Sequence, residues 1–214
     1  MSPRALAAIA ALVLTVGLVA GCGGSSDDQA SAGTHAAHQD STAPSTFEGG
    51  LIDPRRAAPP LRLKDINGTT VDITSYRGEP VLVTFVYAHC PDVCPLIMEN
   101  LRRVREQAGP LGKRMKVIAV SVDPKGDTVP VVRDFLRKRR VGGFVDYLIG
   151  TRAELEKVWA NWQIAHDVPK SDPELVEHSA LIYGVTGSGE LATAYPVGFK
   201  AAAIVRDLPL LAGS

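Results

Sequence analysis

The sequence is short of cysteine, of aromatic residues and of any surplus of charge. Lys and Arg together number 23, as do Asp and Glu, so the formal net charge is zero. That balance argues against a nucleic-acid partner, because affinity for a phosphate backbone comes mainly from clustered Lys and Arg. Nor is there a confident membrane span: the apolar stretch Ala5–Ala20, preceded by Arg4, is too short and too rich in Ala. No internal repeat is found. The one basic run, Arg137–Arg140, falls where a helix should end and reads as cations complementing its negative pole, with no functional weight. A chain of 214 residues holds one compact domain plus tails.

What is present at the start is an export signature. Residues 1–21 read as a secretory signal, and Leu18-Val19-Ala20-Gly21-Cys22 resembles a bacterial lipobox, in which Cys22 becomes the lipidated first residue. The expected location is the extracytoplasmic face of a bacterial cell membrane, lipid-anchored. Residues 22–50 are Gly, Ser, Asp, Gln, Ala, Thr and His with little to bury, the composition of a disordered tether. The folded domain is expected over residues 51–214. Setting Cys22 aside leaves two thiols, Cys90 and Cys94, in a compartment where disulfides persist.

Within the domain, Leu61–Asp65 and Ile66–Ile73 predict a hairpin turning at Asn67-Gly68. Val81–Tyr87 is a β-branched and aromatic run suited to a strand buried on both faces. A helix follows from Pro95 to Gln107, stopped by Gly109-Pro110. Lys116–Val122 predicts a second buried strand, Val129–Arg140 a helix, and Tyr147–Ile149 a third strand. Thr151 and Glu154 form a capping box for a helix that buries Leu155, Val158, Trp159 and Trp162. Ala180–Val185 and Leu191–Tyr195 predict a second hairpin, and Ala201–Leu211 a closing helix. The order gives an α/β fold, thioredoxin-like, with a central mixed sheet covered by helices and an N-terminal β-hairpin.

Chemistry is expected in His89-Cys90-Pro91-Asp92-Val93-Cys94-Pro95, between strand and helix. Pro95 suits a first helical position, which makes Cys94 the cap and the thiol expected to be lowered by the helix dipole. Three intervening residues let the thiols bridge or converge on one ion; redox motifs more usually leave two. Two thiolates are too few for a closed zinc site. With an imidazole they suit copper, as Cu(I) or Cu(II). The candidates are His89, His166 and His178. Next to Cys90, His89 should face away from it. His166 reads as a loop histidine. His178, just before a strand, can lean over the sheet end, although taken alone it is unremarkable.

Three segments then carry a resemblance: Cys90-Pro-Asp-Val-Cys94-Pro, Ser121-Val-Asp-Pro-Lys-Gly-Asp-Thr128 and Glu177-His178-Ser179 resemble, in order and spacing, the Sco/SenC family of copper chaperones. The resemblance implies that Cys90, Cys94 and His178 bind copper for the dinuclear copper centre of cytochrome c oxidase. The implied partners are the oxidase's copper-bearing subunit, and a thiol reductant or another copper chaperone. It also implies that Cys90 and Cys94 cycle as a redox disulfide. Glu177 departs from the family's usual Asp, and Tyr87-Ala88-His89 from its usual approach to the first cysteine. Asp123 and Asp127 read as a strand-ending turn and helix cap, Met98 as core, and His35 and His38 as a stray tether pair. Three functions stay open: a metallochaperone, a thiol-disulfide oxidoreductase, and a peroxidase, for which Asp92 and Val93 supply no peroxide-activating surround. A monomer is expected, and no residue is assigned as catalytic.

Overall fold

The structure, a computed structural model, describes residues 46–167, 177, 178 and 180–213. Cys22, His35 and His38 lie outside them, as do the signal and most of the tether. The strands are β1 (Gly50–Ala57), β2 (Arg62–Asp65), β3 (Thr70–Asp72), β4 (Val81–Val86), β5 (Lys116–Ser121), β6 (Val145–Ile149), β7 (His166–Asp167), β8 (Glu177–His178), β9 (Ile182–Val185) and β10 (Glu190–Tyr195). The helices are α1 (Val93–Gln107), α2 (Gly109–Arg114), α3 (Val129–Arg139), α4 (Arg152–Asn161) and α5 (Ala201–Ala212).

Eight strands form one sheet in the order β1-β10-β9-β4-β5-β6-β2-β3. Every residue of β4 is buried, as a β-branched run covered on both faces must be. β4 pairs in parallel with β5, which pairs in parallel with β6; on its other side it meets β9 antiparallel, with Thr84 opposite Ile182. This is the mixed sheet anticipated, and the β2–β3 hairpin extends its far edge through β6. Its turn has Gly68 at φ +83°, and the Asp65 carboxylate accepts from the backbone N–H of Asn67 and Thr69.

Several boundaries differ from those expected; β6, for one, starts at Val145 and not Tyr147. Gly109-Pro110 does end α1 but at once opens α2, because Pro is tolerated in a first turn. β1, invisible in a Pro- and Arg-containing stretch, pairs with β10 at the other edge. The fold also begins before residue 51: Phe47 is buried, and the backbone N–H groups of Glu48 and Gly49 donate to the Asp207 carboxylate on α5 at 2.9–3.1 Å. Tyr195 donates its hydroxyl to the same buried carboxylate at 2.7 Å. Composition concealed this because the anchor is backbone, not side chain.

Gly49 has no room for a side chain. A Cβ there would lie 2.3 Å from Thr193 Oγ1 and 2.7 Å from Tyr195 Cε1. Gly49→Ala should therefore lower unfolding stability by about 1–3 kcal/mol, the usual range for overpacking. Gly143→Ala, into open space, should stay within about 0.5 kcal/mol of the parent. Urea denaturation of both variants checks the pair.

Tryptophans 159 and 162 are core, as expected: Trp159 donates Nε1–H to the Ser121 carbonyl at 3.0 Å, and Trp162 packs on Phe85 and Tyr183 with ring centroids 5.9 and 5.5 Å apart. Met98 is fully buried in the core. Thr151 and Glu154 form the reciprocal capping box. The basic run closes α3, where Asp134 pairs with Arg137 and with Lys138.

Candidate metal centre

The centre grows from the carboxyl end of β4. A parallel neighbour on one side and an antiparallel one on the other make this strand end a meeting point. The chain leaving β4 carries the cysteines, and the chain arriving at β9 has just passed His178. β9 is antiparallel to β4 with Ile182 opposite Thr84, so residues preceding Ile182 approach the end from which Cys90 departs.

A tight turn, with the Cys90 N–H donating to the Tyr87 carbonyl at 3.3 Å, starts the loop. α1 then begins two residues earlier than the prolines suggested. Asp92 is the cap residue, without a side-chain capping bond, which makes Cys94 a first-turn residue. This reverses the expected roles of the two thiols. Cys94 is fully buried, and its backbone N–H points at Cys90 Sγ, 3.4 Å away. Cys90 is only half-buried and collects the helix-start donors. The hydrogen bond from the Cys94 thiol, followed by the backbone N–H groups of Cys94, Asp92 and Val93, pulls the Cys90 pKa down to about 5. Cys94 moves the other way. Donating its S–H to Cys90 and being buried both push its pKa up. The pair is thus one thiolate and one thiol sharing a proton, unbridged.

Beneath the loop lies a group whose role was missed. Asp123 makes the expected turn, accepting from the N–H groups of Lys125 and Gly126 at 3.1 and 2.9 Å. Asp127 does not cap α3; Thr128 holds that position. Its carboxylate turns inward, 4% exposed, and accepts from the Ala88 N–H at 2.8 Å, the Ser121 hydroxyl at 2.6 Å and the Tyr147 hydroxyl at 2.7 Å. Burial raises its pKa, against those three hydrogen bonds. The bond to Ala88 fixes the backbone two residues before Cys90. The one hint in the sequence was Tyr147, a core tyrosine that needs a partner for its hydroxyl.

Of the candidate histidines, His89 is exposed, with Nδ1 facing the Asp123–Gly126 turn, as its opposite-face position implied. His178 and His166 both lie on a separate two-stranded ladder, β7 with β8, directly opposite one another. Among the described residues no third His, Cys, Asp or Glu joins the thiols at ligating distance. The donor set itself, a soft thiolate beside a thiol that a metal would deprotonate, fits a thiophilic ion.

Comparison with known proteins places relatives beside this chain. A family model described as SCO1/SenC matches residues 51–212. The human mitochondrial protein SCO1 homolog is 27% identical over 139 residues, covering 61% of this chain and 44% of that protein. The cattle mitochondrial protein SCO2 homolog is 31% identical over 136 residues, covering 59% and 49%. The chain thus spans about half the length of the curated relatives it matches. Among solved structures, Bradyrhizobium japonicum ScoI with copper bound is 29% identical, covers 73% of this chain and 99% of that one, and has a TM-score of 0.64. Apo Sco1 from Thermus thermophilus is 25% identical, covers 78% and 97%, with a TM-score of 0.67.

Proposed function

The chain belongs to the SCO1/SenC family, and from that membership we propose that it is an extracytoplasmic copper-binding protein that passes copper to the dinuclear copper centre of cytochrome c oxidase. The observation that carries the reading is the asymmetric thiol pair at the end of β4, with His178 on the segment arriving at the same end. Copper is the cargo, and Cys90, Cys94 and His178 are its ligands. Cys90 already offers a thiolate; Cys94 gives up its proton as the ion binds. A partner's thiolates and imidazoles then replace the three donors stepwise. His178 leaves first, since it sits on a two-residue ladder while Cys94 is buried in the first turn of α1 and its backbone N–H holds the Cys90 sulfur. Oxidation of Cys90 and Cys94 to a disulfide blocks loading. The domain works from a lipid anchor at Cys22, on the outer face of the cell membrane, as a monomer.

Support for the copper reading comes from the copper-bound Bradyrhizobium relative, which this chain matches across nearly all of that structure. A second reading, a thiol-disulfide reductase for exported cysteines, is favoured by the same asymmetry, because a low-pKa accessible thiol beside a buried one is what disulfide exchange requires. The two separate in an anaerobic Cu(I) competition titration of the full-length reduced chain, with Cys22→Ser in every variant. One tightly bound equivalent is expected, weakened at least about a hundredfold by His178→Ala or Cys94→Ser, above the 10–100-fold typical of outer-sphere changes. Weak binding indifferent to His178, with rapid turnover of a disulfide substrate, would leave only the reductase.

A further inference from the structure

A groove of about 390 Å³ runs beside α3, bounded at one end by Ala88 and His89 of the cysteine loop and at the other by Lys138 and Arg139. Its floor is apolar, made by Pro130, Val131 and Phe135. The Asp127 carboxylate, just before α3, accepts from the Ala88 N–H at 2.8 Å, so the start of the helix and the loop are fixed to one another. Cys90 is the residue after His89, about 3.8 Å onward between Cα atoms. A molecule lying in the groove therefore ends beside the half-buried thiolate.

The basic run that closes α3 divides within this groove. Arg137 and Lys138 both pair with Asp134, which occupies the only carboxylate of the lining. Arg139 makes no ion pair among the described residues. Its guanidinium turns back over the Phe135 ring, 5.8 Å from the centroid, and its buried Nε–H has no hydrogen-bond partner among the described residues. A buried donor without a partner is costly, and a planar guanidinium matches a carboxylate. The vacant partner is thus an anion. From Pro130 the helix rises about 7.5 Å to Phe135 and about 13.5 Å to Arg139, a span that about two to four residues of extended chain cover.

We infer that this groove docks an extended acidic segment of the protein that exchanges donors with Cys90, with a carboxylate of the segment on Arg139 and its apolar side chains on Val131 and Phe135. The inference rests on the copper reading above for that partner's role as copper acceptor. The spacing puts the carboxylate about three to five positions from the acceptor's reacting cysteine or histidine. Docking then holds the incoming ligand at Cys90 before the first donor is exchanged.

The test titrates two capped synthetic peptides into the reduced, copper-free, full-length chain with Cys22→Ser, followed by amide NMR. One peptide has Ser in place of the reacting cysteine, a Glu about four positions away and apolar residues between them; in the other, Lys replaces Glu. The Glu peptide should bind and shift the amides of Ala88, His89 and Val131. Arg139→Gln should weaken it about tenfold, the low end for a hydrogen bond to a charged group. Arg133→Gln, which removes an exposed charge of the same helix outside the groove, should stay within about twofold. Arg139→Glu should reverse the preference toward the Lys peptide, which a merely damaged groove would not do. No binding of the Glu peptide, or equal losses in Arg133→Gln and Arg139→Gln, overturns the groove. So does dimerisation, or adsorption to phosphatidylglycerol vesicles, that depends on Arg139 in place of peptide binding. Since copper is absent here, a failed Cu(I) titration with peptide binding intact overturns the acceptor's role and not the groove.

Discussion

Iodoacetamide added to the reduced chain at pH 6 should modify Cys90 and spare Cys94. With its pKa pulled down to about 5, Cys90 is mostly thiolate at that pH. It carries roughly 300-fold more of the reactive form than an ordinary thiol of pKa ~8.5. Lower basicity makes each thiolate less nucleophilic, by a factor of roughly 25–55 across such a gap. The net advantage over a free thiol is therefore about 5–10-fold, and the rate should level off above pH 6 instead of climbing. Cys94, fully buried with its pKa raised, should react only when the domain unfolds. Residue-resolved mass spectrometry over pH 4–9 reads both. A Cys90 rate that rises tenfold per pH unit from 6 to 8 would mean that the helix start does not hold the charge. The same asymmetry predicts that loading Cu(I) near pH 7 releases about one proton per ion, that of Cys94.

The largest expected stability effect is at Asp127. Asp127→Ala would strand three buried donors at once, those of Ala88, Ser121 and Tyr147. At about 1–3 kcal/mol for each unsatisfied buried group, with partial relaxation, the loss should be on the order of 4 kcal/mol. Asp127→Asn keeps the shape and one acceptor for Ala88 and should lose far less. The pH trend has a definite sign. Burial raises this carboxyl above its ordinary value, so its protonated form favours the fold. Its contribution is full below the unfolded carboxyl pKa, ~3.9, and is lost as pH climbs through the folded value. Asn, which never ionises, should compare worst with Asp in acid and improve toward neutral pH. Denaturant titrations at pH 4 and pH 7 would show this; a deficit independent of pH would mean the carboxyl is not held as described.

The sheet was legible because its signals are local and strong. The all-buried run of β4, the Asn67-Gly68 turn and the Thr151–Glu154 box each need only neighbours to take effect. The cysteine loop was legible for the same reason, as to place but not polarity. Reading Pro95 as the first helical residue moved the cap onto Cys94, whereas the helix starts at Val93 and its donors converge on Cys90. What escaped was long-range. β1 finds its partner in β10, more than a hundred residues away. Asp127 reaches Ala88 and Tyr147, 39 and 20 positions distant. β7 pairs His166 with His178 of β8, and no spacing rule links residues on either side of a loop.

The geometry at the end of β4 also bears on how such a protein could diversify. Cys94 is locked into the first turn of a core helix, where any displacement is resisted by close packing, and its backbone N–H holds the Cys90 sulfur beside it. His166 and His178 sit on a two-stranded ladder outside the eight-stranded sheet. Insertions, deletions or exchanges between the two strands of that ladder can therefore occur while leaving the thiol pair undisturbed. Under the copper reading proposed above, metal preference and hand-over rate become adjustable traits, inherited separately from the cysteine pair.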